Sequence, residues 1–404
     1  MVPQAPQAPL APEATQRFEQ RWPWWPLLPL YPYGHRPSLI RELLPGRVWS
    51  VEQLHGVWYV AVPIRMTVLK VNGGLLLYSP VAPTAEVVAE LRRLEVAHGP
   101  VSTIVLATAS GLEHKVAVPA MARAFAKATV WVCEGQWSFP LRLPSAWLGF
   151  PSDRTKVLFR DGLPHADQLA WIGLGPLDLG LGNFVEVACL DRSSGCLLVT
   201  DALVSFTATV PAIFELDPTP LLFHARNGGA DPLIDTEANR IKGWKRILLF
   251  ANFFRPAAVS VPKLGEILGQ MYGDQCNNPR SHFGFYPFRW SEDWESDADD
   301  LIRGADESFG ISLAPVLERL VFVRAQEPLL EWLRKLGQYN EITSLVSAHY
   351  DAPKQLKATQ LIAIADRFEQ RSWAPSQGSW QTLASIDQTL IRLGLVGAVD
   401  SSHR

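Results

Sequence analysis

Three stretches of the chain run apolar for several residues and then stop at side chains able to bind a metal. They are Ser102 to Glu113 and His114, Gly195 to Asp201, and Ile342 to His349. A strand buried on both faces reads as a near-continuous apolar run, and the polar residues just past such strand ends gather along one rim of the sheet. The pattern therefore predicts that Glu113, His114, Asp201 and His349 meet. Together they form a mixed nitrogen and oxygen ligand set suited to zinc, iron or manganese.

The rest of the pattern predicts layered α/β architecture. Val57 to Val62 and Met66 to Val71 read as strands, and Asn72-Gly73-Gly74 as a tight turn into Leu75 to Tyr78, because Asn and Gly tolerate positive φ. Thr84 is placed to cap a helix with Val87, Val88, Leu91 and Leu94 on one face. The strand Thr103 to Ala107, a helix over about 116–128 and the strand Thr129 to Cys133 follow. Further strands are expected at Lys156 to Phe159, Phe184 to Leu190 and Cys196 to Thr200, the last two joined by the Arg192-Ser-Ser-Gly195 turn. A helix carrying Leu329, Leu330, Leu333 and Leu336 ends at Gly337 before the last strand, and two more helices follow Pro353, divided near Pro375.

This organisation divides the chain into a Pro- and Trp-rich arm (1–45), a main domain (46–355) with an aromatic-rich insertion at about 205–315, and a C-terminal helical appendage (356–404). In the arm, Trp22 to Tyr33 alternates aromatics with prolines that exclude helix. Two readings stay open for it: it packs across the protein's own body, or it makes peripheral contact with a membrane interface, where Trp and Tyr are favoured.

Composition narrows the function. With 48% hydrophobic and 19% charged residues the chain has ample core, and a net charge of −3 gives no general attraction to nucleic acid. Nothing in the sequence reads as a membrane span or a secretory signal, so a cytoplasmic setting is expected. Four cysteines without paired spacing read as buried thiols. Serine-elbow, Walker-type and dinucleotide-binding glycine motifs are missing. His224, closing the run Leu221 to Phe223, is a candidate fifth ligand or acid/base at the same rim, against the plainer reading of a packed core histidine. Lys115 and Asp351 flank ligand candidates, and two readings stay open for them: they orient imidazoles, or they simply face solvent. The basic cluster Arg240, Lys242, Lys245 and Arg246 reads as a helix face or as an anion site, and Phe283 to Trp290 as core or as the wall of a pocket.

In that same order, these landmarks resemble the metallo-β-lactamase fold. Pro63-Ile-Arg-Met-Thr67, Ser79 to Thr84, Ser110 to Lys115 and Pro220 to Arg226 are more closely similar to an uncharacterised family of cyanobacterial and plastid proteins. The resemblance implies a four-layer αββα sandwich with its site along one sheet edge. It also implies that the family's His-x-His-x-Asp-His motif is altered here, with Ala109 and Gly111 in place of the early histidines. Glu113, His114, Asp201 and His349 then correspond to the ligands of the second of two metals. Two expectations follow: a one-metal protein acting on an unknown small molecule, with Asp201 and His224 as catalytic candidates and a hydrolytic or related reaction; or a non-catalytic protein that binds a protein partner as an assembly factor of the photosynthetic apparatus, in the cytosol or at the thylakoid surface.

Overall fold

The computed structural model describes residues 30–399 except 33, 137–143, 181, 274–276, 307–309 and 371–377. Most of the Trp22 to Tyr33 segment and Cys276 lie outside the described residues.

The first sheet contains β1 (Leu30–Tyr31), β2 (Leu39–Leu44), β3 (Val48–Val57), β4 (Val60–Val71), β5 (Gly74–Tyr78), β6 (Val101–Leu106), β7 (Thr129–Val132) and β8 (Thr155–Val157). Its strands run in the order β1-β3-β4-β5-β6-β7-β8, with β2 also on β3. The second contains β9 (Leu169–Asp178), β10 (Asn183–Asp191) and β11 (Cys196–Val199), extended by the strands Ser344–Ser347 and Lys354–Gln355. Alternation along these strands builds the layers. Leu76, Tyr78, Val105, Val187, Leu198 and Val346 meet between the sheets. Ile64, Met66, Leu75 and Leu77 instead face the helices Ala85–His98 and Val118–Ala124. On the far side Ile172, Leu174 and Leu190 pack against Leu329 and Leu333 of the helix Gln326–Leu336 and Leu361 of the helix Ala358–Glu369. The result is a mixed α/β protein in four layers, helix, sheet, sheet, helix.

Several local expectations hold. Thr84 Oγ1 accepts the Val87 amide at 3.3 Å and caps its helix, Gly73 takes φ +85° in the hairpin turn, and Gly195 takes φ +68° in the turn between β10 and β11. Others differ. Strand β3 starts at Val48, and its turn into β4 is Trp58-Tyr59, both at positive φ. Bulky aromatics do not favour that backbone. Their rings pay a part of the difference back through packing, Trp58 stacking on His282 with centroids 4.9 Å apart and Tyr59 against Phe223 at 4.7 Å. Strand β9 carries no continuous apolar pattern, because its Gly173, Gly175 and Pro176 break the run. The helix expected over 116–128 is shorter, Val118–Ala124, and a separate helical turn, Leu112–Lys115, precedes it and carries Glu113 and His114.

Residues 30–31 and 39–44, read as arm, pair with β3. The helix Ala358–Glu369, read as appendage, buries Leu361, Ile364 and Phe368 in the outer core of the second sheet. The ends of the 205–315 region are drawn together by a short antiparallel pair, Leu203–Val204 with Ser312–Leu313.

One join positions the site. Beyond β6 the chain leaves its own sheet and bonds to the other: Ala109 N–H donates to the Val185 carbonyl (3.0 Å) and Val187 N–H to the Ala107 carbonyl (2.8 Å). The sheets are therefore tied together where the first ligand candidates emerge.

Candidate metal centre

The three strand ends do meet. Glu113, His114 and His349 each offer a ligand atom, and these atoms lie within 4.8 Å of one another. His349 Nε2 is 3.5 Å from Glu113 Oε1 and 3.1 Å from Asp201 Oδ1. Asp201 thus joins through His349 and stands just outside the three-residue group.

Each imidazole is aimed by a main-chain carbonyl. His114 donates Nδ1–H to Pro80 O (3.0 Å) and His349 donates Nδ1–H to Pro63 O (3.2 Å). A carbonyl can only accept, so Nδ1 carries the proton and Nε2 is turned toward the carboxylates. The Nε2 of His114 is buried and has no hydrogen-bond partner. Orientation of one ring nitrogen by an outer acceptor is the usual support of a metal-ligating histidine. A buried nitrogen lone pair left without a donor is costly, and a cation beside two carboxylates would satisfy it.

The charges agree with this reading. Burial would depress the His349 pKa, but hydrogen bonds to Asp201 and Glu113 and their negative charges overcome it and push it up to about 10. Without an ion, the His349 imidazolium is the cation between the carboxylates. Burial opposes ionisation of Glu113, yet His349 and His114 hold its pKa well below the usual carboxylate range. His114, fully buried, is pushed down by desolvation and stays neutral, as a ligand must.

Gly111 leaves room for this arrangement. A Cβ there would lie 3.2 Å from Glu113 Oε1 and 3.2 Å from Thr108 Cγ2, so a side chain at 111 would press on the carboxylate.

The framework includes buried charges outside the predicted ligand set. Glu186, on β10, accepts the amides of Thr200 (2.8 Å), Asp201 (3.1 Å) and Ala202 (2.8 Å), which sets the turn presenting Asp201. Its own burial, then the Asp201 charge, push its pKa up to about 7 against those three amides. Arg65, on β4, pairs with Glu52 at 3.2 Å and donates to the carbonyls of Ser347 and Tyr350, which bracket His349. His55 is a further nearby base: desolvation lowers its pKa to about 4, and Glu113, His349 and His114 all act on it electrostatically. A lone charge within a run buried on both faces was the available signal for Arg65 and Glu186.

The remaining candidates sort clearly. Lys115 donates to the carbonyls of Ala109 (2.6 Å) and Gln136 (2.7 Å) and so braces the loop before Glu113 without touching an imidazole. Asp351 pairs with Lys354 at 3.1 Å. His224 is brought elsewhere: it belongs to the helix Thr219–Ala225 and not to a strand end, and it is enclosed by Phe223, Phe250 and Phe288. Burial drives its pKa down to about 3. Four apolar or aromatic neighbours in sequence form a helix here because the insertion supplies a second aromatic layer to bury them. The basic cluster is spoken for, with Arg240 on Asp235 and Glu215, Lys245 on Glu295 and Asp299, Lys242 on Asn227, and Arg246 on the carbonyls of His224 and Arg226. From the aromatic run, Tyr286 and Phe288 pack edge to face in the same core.

The fold and site define a two-sheet αββα protein with a Glu/His cluster of metal-binding geometry at the rim joining its sheets. The chain belongs to the family described as Domain of unknown function (DUF4336), whose model matches residues 45–368. Comparison with curated proteins gave no match. Among solved structures it is similar to a metallo-β-lactamase from Pontibacter korlensis, at 10% identity and a TM-score of 0.36, covering 82% of this chain and 99% of that one. It is also similar to the mono-zinc form of the metallo-β-lactamase FIM-1 from Pseudomonas aeruginosa, at 9% identity and a TM-score of 0.35, covering 83% and 97%. Among the described residues no helix is long and apolar enough to cross a membrane.

Proposed function

We propose that this protein binds one divalent transition metal through Glu113, His114 and His349, with Asp201 completing the set, and uses it in a hydrolytic or related reaction on a small molecule. The carrying observation is the pair of carbonyl-aimed imidazoles, one with a buried and partnerless Nε2. The mixed donors suit zinc, iron or manganese. Such an ion supplies Lewis acidity. The chain's own residues do the rest: Glu113 and Asp201 supply negative charge, Pro80 and Pro63 orient the rings, and Glu186 and Arg65 hold the loops. With His349 Nε2 turned to the ion, the His349–Asp201 hydrogen bond is given up, and an Asp201 oxygen is freed to accept a proton at the rim. His224 is left out of the chemistry, since it is enclosed by aromatic rings.

In this reading the protein keeps one half of a two-metal arrangement, Ala109 and Gly111 standing where the resemblance places two further histidines. Metal analysis of the full chain purified without chelator tests it, beside Asp201→Ala and His349→Ala. About one ion per chain, lost in the variants, is expected; equal, substoichiometric metal in all three would reject it.

One observation favours a second reading. His349 as an imidazolium between Glu113 and Asp201 closes the site internally without an ion. A non-catalytic binding or assembly factor would keep that ion pair for stability alone. Recovery of a stable protein partner, together with absence of metal, would select it.

A further inference from the structure

The segment ahead of β1 has its prolines in register. Pro23, Pro26 and Pro29 fall at every third residue, with Trp22, Trp24, Trp25, Leu27 and Leu28 between them. A polyproline II helix has three residues per turn and no internal hydrogen bonds, so this spacing predicts such a helix over residues 22–29, its carbonyls open to outside donors. Prolines then line one edge, Trp22, Trp25 and Leu28 the second, and Trp24 and Leu27 the third. All three edges are apolar. Such a segment needs a surface to cover it, and aromatic-lined faces suit it because it is stiff before it binds.

The place where this segment joins the body is fixed. Leu30 pairs with Val57 and Tyr31 with Gly56, and Tyr31 is buried, its hydroxyl donating to Asp217 and its ring 5.5 Å from that of Tyr59. The pairing is antiparallel, so each step back from Leu30 is a step toward the Trp58-Tyr59 turn. There an aromatic ladder leads into the insertion: Trp58 stacks on His282 at 4.9 Å and meets Phe285 at 5.3 Å, and the neighbouring Phe283 stacks on Tyr272 at 5.8 Å. Val57 at its start is 49% exposed and Tyr272 at its end 66%, so both ends of the ladder are open to a covering group. The Nε1 of Trp58 is buried and finds no acceptor among the described residues, which is costly for an indole N–H. At about 3.1 Å per residue, eight residues of polyproline II span about 25 Å, several ring spacings of this ladder.

We propose that the face formed by Val57, Trp58, Phe285, Phe283 and Tyr272 is the docking surface of the chain's own residues 22–29, laid along it as a polyproline II segment with one of its carbonyls accepting from Trp58 Nε1. The docked segment ties the N-terminal part of the chain to the insertion. A lipid interface is the other surface that takes an apolar segment with three tryptophans. Attachment at the foot of an aromatic ladder, beside an indole donor without an acceptor, favours the protein's own face. The docking is independent of whether the Glu113, His114 and His349 cluster holds an ion.

Photoreactive p-benzoylphenylalanine in place of Trp25 of the full chain, irradiated and mapped by mass spectrometry, is expected to cross-link within the same chain to residues 57–58, 272 or 283–285. Cross-links to other parts of the body, cross-links only between chains in an isotope-mixed sample, or none at all overturn the proposal. So does cross-linking to lipid in preference to protein when phosphatidylglycerol vesicles are added, which assigns the segment to a membrane. Chymotrypsin gives a second readout, because the bond after Trp24 lies inside the docked segment. Trp58→Phe keeps a ring and removes the donor, and Tyr272→Asp places a charge at the exposed end of the face. Each is expected to raise the rate of cleavage after Trp24 in the full chain by about threefold to tenfold. Rates equal to that of the unaltered chain in both variants overturn the proposal. Should Trp58→Phe fail to fold by circular dichroism, Tyr272→Asp is decisive, and an unchanged rate there overturns it.

Discussion

His114 and His224 are both completely buried, and both are pushed by burial toward the neutral form. Their company separates them. Around His114 the nearby charges are Glu113, Asp201 and His349, and one ring nitrogen is fixed by Pro80 O. Around His224 stand three phenylalanine rings and two arginines, Arg226 and Arg246, whose charges disfavour any further cation. A histidine closing an apolar run is thus no site by itself. Anionic neighbours make the difference: Glu113 stands next to His114 in the chain, while Asp201 is brought from a distant part of it.

The strongest way to break this contrast is to remove the frame that only His349 and its partners enjoy. Arg65→Leu leaves Glu52 buried without its most buried partner and frees the Ser347 and Tyr350 carbonyls, so a loss of about 3–5 kcal/mol is expected in urea unfolding. A loss under about 1 kcal/mol would show that the frame is not held by this ion pair.

Substitution of the two histidines compares them directly. His114→Ala is expected to weaken metal affinity by about 100-fold or more, whereas His224→Ala leaves it within about threefold, both read by competition with a chromophoric chelator. Similar losses in the two would erase the distinction drawn between them.

Glu186→Gln retains one acceptor oxygen for three amides and removes the charge, so it is expected to cost about 1–3 kcal/mol of stability. It should also move Asp201, seen as weaker metal binding than the stability loss alone accounts for. Unchanged metal affinity would confine Glu186 to folding.

The gentlest test uses pH. In the metal-free chain the folded pKa of His349 is raised to about 10 from an ordinary value near 6.5. Its contribution to stability is then fully present below about 6.5 and is lost as pH rises through about 10. The melting temperature of the metal-free protein should decline over that window beyond the decline of His349→Gln. Metal loading should remove the difference and release about one proton per ion at pH 7, measured with an indicator dye. Identical pH profiles for the two metal-free proteins would mean that His349 is not held as an imidazolium.

The chain's own pattern determined much of this. The strand ends at Glu113, Asp201 and His349 were legible because buried strands need apolar side chains on both faces, and the chemistry begins where that demand stops. The cap at Thr84 and the turns at Gly73 and Gly195 were equally legible, being set by neighbours within a few residues. Tertiary structure alone decided the rest. The turn at Trp58-Tyr59 follows from rings supplied by Phe223 and His282, more than a hundred residues away. The fate of His224 depends on which layer covers it, and the roles of Arg65 and Glu186 depend on carbonyls and amides brought by other strands. Local sequence reports what a residue prefers, while the partners that satisfy a buried charge or nitrogen are chosen only when the two sheets close on each other.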